Sequence, residues 1–200
     1  MIIFLQFVVL LVCIIVHELS HGWMAYWLGD PTAKQAGRLS LNPIVHLDPV
    51  GSVLLPLLAL VSGSQVFFGW AKPVPVQSRY FHRPRQALMW VALAGPIANF
   101  FMAIVGVMLL KVVDQTWMWI WMPYFIQINL LLGLFNLFPI PPLDGSRILA
   151  YFGTDALRHA LDRIEPYGFL IIFALAYFGF FSLVMQWILA PILSGLMGIL

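Results

Sequence analysis

The chain has 200 residues, of which 62% are hydrophobic and 9% charged, with a formal net charge of +2. A soluble domain carries about 25% charged residues, so the composition excludes an ordinary soluble globule, and the small net charge excludes electrostatic capture of nucleic acid. The length accommodates a single membrane-embedded domain, 1–200, without a separate soluble module, and the one cysteine, Cys13, excludes an intramolecular disulfide framework.

The first apolar stretch, about 2–28, lacks a basic n-region and a small-residue cleavage site, so it reads as a retained span rather than a signal peptide. Near its end stand His17, Glu18 and His21, spaced as HExxH. On a helix this spacing sets two histidines one turn apart, about 40° around the axis, with a glutamate beside them. In hydrocarbon such ionisable groups are costly unless something neutralises them. A zinc ion does so, with the imidazoles as ligands and the glutamate left to handle a water. Cys13, four residues before His17, reads as a small core hydrophobe.

Residues 33–47 mix apolar and polar positions around Arg38-Leu39-Ser40-Leu41, followed by Asn42-Pro43, a pattern that could form a short strand or hairpin near the site. His46 and Asp48 fit turn or interface roles as well as places near a cleft. The next apolar stretch, about 50–68, is interrupted by Gly51, Pro56 and Gly63. If it turns back without crossing, nine of the ten lysines and arginines share one side and Lys111 stands alone on the other; if it crosses, the division is three against seven. The positive-inside tendency favours a re-entrant segment, with the N-terminus outside and the site toward the cytoplasm. That arrangement also lets the ends of the first and fourth apolar stretches meet.

Stretches at about 87–110 and 120–138 read as full spans. The first contains Gly95-Pro96-Ile97-Ala98-Asn99, where small residues suit close helix packing and Asn99 is either interhelical glue or a group near the substrate. Trp117, Trp119 and Trp121 lie between the two, where an aromatic belt belongs. The second runs into Asn136-Leu137-Phe138-Pro139-Ile140-Pro141-Pro142-Leu143-Asp144-Gly145. Its prolines cannot continue a helix, and Gly145 permits a sharp turn, so the segment reads as a helix broken at membrane depth to present a carboxylate inward. A final stretch, about 168–189, reads as one more span followed by a short apolar tail.

A catalytic zinc needs a third protein ligand and an open position for water. Asp144 is the strongest candidate by context, and Glu165, just before Pro166, is the alternative. HExxH in one span, GPxxN at 95–99 in another and NxxPxPxLDG at 136–145 together resemble the site-2 protease family of intramembrane zinc metalloproteases, most closely its compact prokaryotic branch without PDZ or CBS domains. The resemblance implies one Zn2+ per chain held by His17, His21 and Asp144, with Glu18 as general base. It further implies that Asn136 supports the oxyanion; for Asn99, a substrate or oxyanion contact stands beside interhelical glue as a reading of the residues themselves. The expected fold is an all-α integral membrane protein of about four to five transmembrane helices plus the re-entrant segment. The expected activity is endoproteolysis of transmembrane protein substrates within the lipid bilayer of a prokaryotic cytoplasmic membrane, with no nucleic acid involved. The alternative of another class is a non-enzymatic zinc-binding protein or metal transporter; the concentration of ligand types at one depth and the presence of Glu18 weigh against it.

Overall fold

The computed structural model describes residues 2–48, 51, 54, 72–113 and 116–198. Helix α1 (Ile2–Trp27) is followed by the single turn α2 (Thr32–Gln35), and the long helices α3 (Pro84–Val112) and α4 (Met118–Asn136) come next. The short helices α5 (Asp144–Phe152), α6 (Asp155–Ile164), α7 (Gly168–Tyr177), α8 (Phe180–Val184) and α9 (Ala190–Gly198) complete the described chain. The protein is all-α, with no strand among the described residues.

Three helices, Leu5–Trp27, Pro84–Val112 and Met118–Asn136, are long and apolar enough to cross a membrane, with mean hydropathy of 1.8, 2.1 and 1.4. A bent pair, Asp155–Tyr177 with Ser182–Leu196, makes a fourth if it is one span; its two arms differ in direction by 65°. Gly179, at φ +78°, lies at this bend, a backbone conformation open to glycine and strained for other residues. The apolar stretch 168–189 is therefore not one straight helix.

Small residues mark much of the packed face of α3. On α3 the exposed face carries Ile97, Phe101, Ile104, Met108 and Val112, while Ala92, Gly95, Asn99, Ala103, Val107 and Leu110 are buried. Helices surrounded by lipid gain nothing from burying Leu against Leu, so small residues that let backbones approach mark the interface. Gly133 on α4 faces the Phe100 ring, and a Cβ there would come within 2.7 Å of it. Gly106 on α3 likewise faces Ile126, at 2.8 Å. The main core joins Val9 and Cys13 of α1, Ala103, Val107 and Leu110 of α3, and Met118, Met122, Phe125, Ile126 and Leu130 of α4.

The C-terminal end of α1, the start of α3 and the end of α4 lie at one end of this bundle, where α5 packs against α3. Residues 33–47 do not form the strand or hairpin that their pattern suggested. Asp30 folds the chain into α2 by accepting from the Thr32 amide at 2.9 Å, and Asn42 caps a 3-10 turn, Pro43–His46, by accepting from the Ile44 amide at 3.1 Å. The buried Arg38 guanidinium donates to the carbonyls of Val45, Lys72 and Pro73, which pins this loop to the segment before α3. The Lys72 amide donates to the His46 carbonyl at 2.9 Å, so the chain leaves after residue 48 and returns at residue 72 at the same end of the bundle. The interrupted stretch 50–68, apart from residues 51 and 54, lies outside the described residues.

Candidate active site

His17, Glu18 and His21 sit in the C-terminal half of α1, and a buried stripe at four-residue spacing (Val9, Cys13, His17, His21, Ala25) turns both histidines toward α3. Asp144 reaches them from the start of α5. After α4 ends at Asn136, residues 137–143 form turns, and Asp144 opens α5 rather than closing a loop. A carboxylate in the first turn of a helix is favoured by the exposed N–H groups there. Gly145 is needed for closeness rather than for turning: a Cβ at this position would stand 2.1 Å from the Leu137 carbonyl oxygen.

The three side chains converge. His17 Nε2 and His21 Nε2 are 3.0 Å apart, and each lies 3.3 Å from Asp144 Oδ2. No other group of three His, Cys, Asp or Glu side chains among the described residues is placed to share an ion. The hydrogen bonds behind the rings decide what these atoms can do. His21 Nδ1 is 2.7 Å from the Val91 carbonyl, and His17 Nδ1 is 2.6 Å from Asn99 Oδ1. Both partners are acceptors, so each neutral imidazole carries its proton on Nδ1 and presents a bare lone pair at Nε2. With both imidazoles neutral, two nitrogen lone pairs and a carboxylate oxygen face one another. Asp144 Oδ2 is buried and has no hydrogen-bond donor. Such a cluster is repulsive alone and suits a cation. Ligand atoms on a tetrahedral zinc, at about 2.0–2.2 Å from the metal, stand roughly 3.3–3.5 Å apart, close to the separations found here.

Glu18 projects beside the histidines, where its Oε2 accepts from the Val74 amide at 3.0 Å. The Val74 segment is tied to three neighbouring parts of the chain. The amides of Lys72, Val74 and Gln77 are taken by His46, Glu18 and Asp30, while Pro73 and Pro75 have no N–H.

Asn99 is fully buried behind His17, with its Oδ1 on that ring and its Nδ2 donating to Asn129 Oδ1 at 2.9 Å. Its side chain therefore meets the back of the His17 ring. Asn136 lies at the end of α4, and its Nδ2 donates to the Leu132 carbonyl of its own helix at 2.9 Å, with no bond to the histidines or Asp144 among the described contacts. Glu165 is exposed and pairs with Arg147 at 3.3 Å, away from the cluster. His46 is buried with Nε2 on the Ser40 carbonyl at 2.7 Å, and Asp48 accepts from the Gly51 amide, so both shape the loop. Cys13 is in the core, as its type suggested.

Two residues that matter here carried little sequence signal. A Cβ on Gly95 would stand 2.5 Å from His21 Nε2 and 2.6 Å from His17 Cε1, so this glycine lets α3 close over both rings. Asn129 is a fully buried amide inside α4. Its polarity within an apolar span was the available signal.

The pattern of Peptidase family M50 matches residues 111–179, which run from the end of α3 through α4 and Asp144. The chain is 42% identical over 178 residues to "Putative zinc metalloprotease YwhC" of Bacillus subtilis, an alignment that covers 84% of this chain and 78% of the relative. It is 32% identical over 173 residues to Rip2 of Mycolicibacterium smegmatis, which bears the same description, across 82% of this chain and 63% of that one. Rip2 of Mycobacterium tuberculosis is 29% identical over 188 residues, across 92% and 66%. The chain therefore spans just under two thirds of the length of either Rip2. No solved structure gives a significant match. With an HExxH helix brought against the aspartate of an LDG turn inside a bundle of apolar helices, and with a relative this similar along most of both chains, the protein belongs to peptidase family M50, the site-2 type zinc metalloproteases.

Proposed function

We propose that the chain is an intramembrane endopeptidase that binds one zinc through His17 Nε2, His21 Nε2 and Asp144 Oδ2 and cuts peptide bonds in or near the transmembrane segments of other proteins. The observation that carries this reading is the meeting of two imidazole Nε2 atoms and a carboxylate oxygen, 3.0 to 3.3 Å apart, between helices apolar enough to lie in a bilayer. Zinc in such a site supplies a water of lowered pKa, about 7, and polarises the scissile carbonyl.

The residues supply the rest. Glu18 is held by the Val74 amide through Oε2, and we assign its other oxygen to the attacking water. It takes the proton as the oxygen–carbon bond forms and gives it to the amide nitrogen as the carbon–nitrogen bond breaks. The Asn136 amide has two hydrogens, and Leu132 takes one. The second is our candidate donor for the oxyanion. The distribution of basic residues supports placing the catalytic end on the cytoplasmic side of a prokaryotic plasma membrane: Arg38, Lys72, Arg83, Arg85 and Arg147 lie at the HExxH end, and Lys111 lies at the far end of α3.

The test is proteolysis in reconstituted vesicles. Single-span model proteins bearing a helix-weakening Gly-Pro pair are compared with the same segments cut free in detergent. Cleavage within the spans, absent in Glu18→Gln, supports the reading. Cleavage of only the soluble segments would overturn its intramembrane part, and equal cleavage by Glu18→Gln would overturn the role of Glu18.

A further inference from the structure

Behind His17 lies a buried chain of hydrogen bonds that crosses all three long helices. Asn99 on α3 and Asn129 on α4 are both fully buried. Asn129 Nδ2 donates to the Phe125 carbonyl at 2.9 Å and to Cys13 Sγ at 3.1 Å. Asn99 Nδ2 donates to Asn129 Oδ1 at 2.9 Å and, at the long limit of 3.4 Å, to the Cys13 carbonyl. Asn99 Oδ1 then meets His17 Nδ1 at 2.6 Å.

This chain has a direction, and a backbone carbonyl sets it. The Phe125 carbonyl can only accept, so Asn129 must turn its nitrogen there and its oxygen toward Asn99. Asn99 must answer with its nitrogen, which leaves its oxygen for His17. An acceptor at Nδ1 requires the imidazole proton on Nδ1 and frees the Nε2 lone pair. Reversing either amide would set two donors or two acceptors face to face in a dry interior, where an unsatisfied polar group is costly. His21 needs no such relay, because the Val91 carbonyl fixes its Nδ1 directly.

We propose that Asn129 is a positioning residue of the metal site: through Asn99 it holds His17 in the one tautomer that can bind zinc. It touches neither His17 nor Asp144 and acts from the neighbouring helix. The inference rests on His17 and Asp144 being ligands, and it assigns both asparagines to the support of the ligand rather than to the substrate. In the metal-free protein Asn129→Leu fills similar space but removes the 2.9 Å acceptor of Asn99 Nδ2 and leaves only the Cys13 carbonyl at 3.4 Å, so Asn99 is held loosely and the His17 tautomer becomes mixed. An aspartate at position 99 has only acceptor atoms and fixes Nδ1–H unaided. Asn99→Asp should therefore rescue Asn129→Leu, a result that a merely structural role for Asn129 would not produce.

The experiment measures zinc dissociation constants by chelator competition on the full chain in detergent, with nitrogen NMR of labelled histidine on the metal-free protein. Asn129→Leu should bind zinc about 10- to 100-fold more weakly, in the range found for partners of metal-ligating histidines. The double variant Asn99→Asp/Asn129→Leu should return to within a few-fold of wild type. Wild-type zinc affinity in Asn129→Leu, or no rescue by Asn99→Asp, overturns the proposal. Should Asn129→Leu fail to fold, the wild-type spectrum decides: His17 protonated on Nδ1 supports the relay, and His17 protonated on Nε2 overturns it. Asp144→Ala, measured alongside, separates the two readings. If it keeps zinc, the ligand set is wrong; if it loses zinc while Asn129→Leu keeps it, the relay alone falls.

Discussion

Gly95→Ala separates the demands of the fold from those of the metal. The added methyl would stand 2.5 Å from His21 Nε2 and 2.6 Å from His17 Cε1, where ordinary contact begins at 3.4 Å. The rings must retreat by about 0.9 Å, the difference between 3.4 and 2.5 Å, if α3 holds its place. The contacts are ring tips rather than backbone, so this retreat costs the metal-free fold little. An off-rotamer histidine is worth about 0.5–1.5 kcal/mol, and alanine in place of a mid-helix glycine returns about 0.5–1 kcal/mol. Zinc is less forgiving, since metal–ligand distances tolerate only about 0.2 Å. Disturbing both imidazoles should weaken zinc by at least about 100-fold, roughly 3 kcal/mol. Chelator competition gives the affinity, and thermal unfolding of the metal-free protein in detergent gives the stability, expected within about 1 kcal/mol of wild type. Unchanged zinc affinity with stability lowered by about 1–3 kcal/mol would mean that α3 moves instead, and would refute the close approach of Gly95 to the ligands.

Arg38→Met removes the guanidinium that donates to the carbonyls of Val45, Lys72 and Pro73, and the Val74 amide that holds Glu18 lies just beyond. It should destabilise the protein by about 2–3 kcal/mol and lower proteolysis while zinc affinity stays at the wild-type level, read by thermal unfolding, peptide cleavage and chelator competition. Loss of zinc in this variant would contradict the separation of loop and ligands. Glu165→Gln breaks only a half-exposed pair with Arg147, so stability should change by less than about 1 kcal/mol and zinc content not at all. A metal-free Glu165→Gln protein would restore Glu165 as a ligand.

Much of the site was legible because its chemistry is carried by residue type and spacing. HExxH needs only a helix to bring two imidazoles together, and a long apolar stretch supplies one. Asp144 stood out because Pro139, Pro141 and Pro142 stop α4 just before it. The legible part ends where the backbone takes over. The Val91 and Phe125 carbonyls orient His21 and Asn129, and a carbonyl leaves no mark in a sequence. Asn99 was visible as a polar residue in a span, but its direction depends on a partner 30 positions away. The apolar and polar mixture of 33–47 suggested extended chain, while Gly37 at φ +66°, the Asn42 cap and the buried Arg38 fold it into turns. The last apolar stretch reads as continuous because Gly179 alters conformation without altering hydropathy.

The measurement that bears most directly on the central claim is the zinc content of the purified protein beside Asp144→Ala and Glu18→Gln, with proteolysis followed on the same samples. The proposed function predicts about one zinc per chain in wild type, its loss in Asp144→Ala, and its retention in a Glu18→Gln protein that no longer cleaves. Equal zinc in wild type and Asp144→Ala, or undiminished cleavage by Glu18→Gln, would contradict the account.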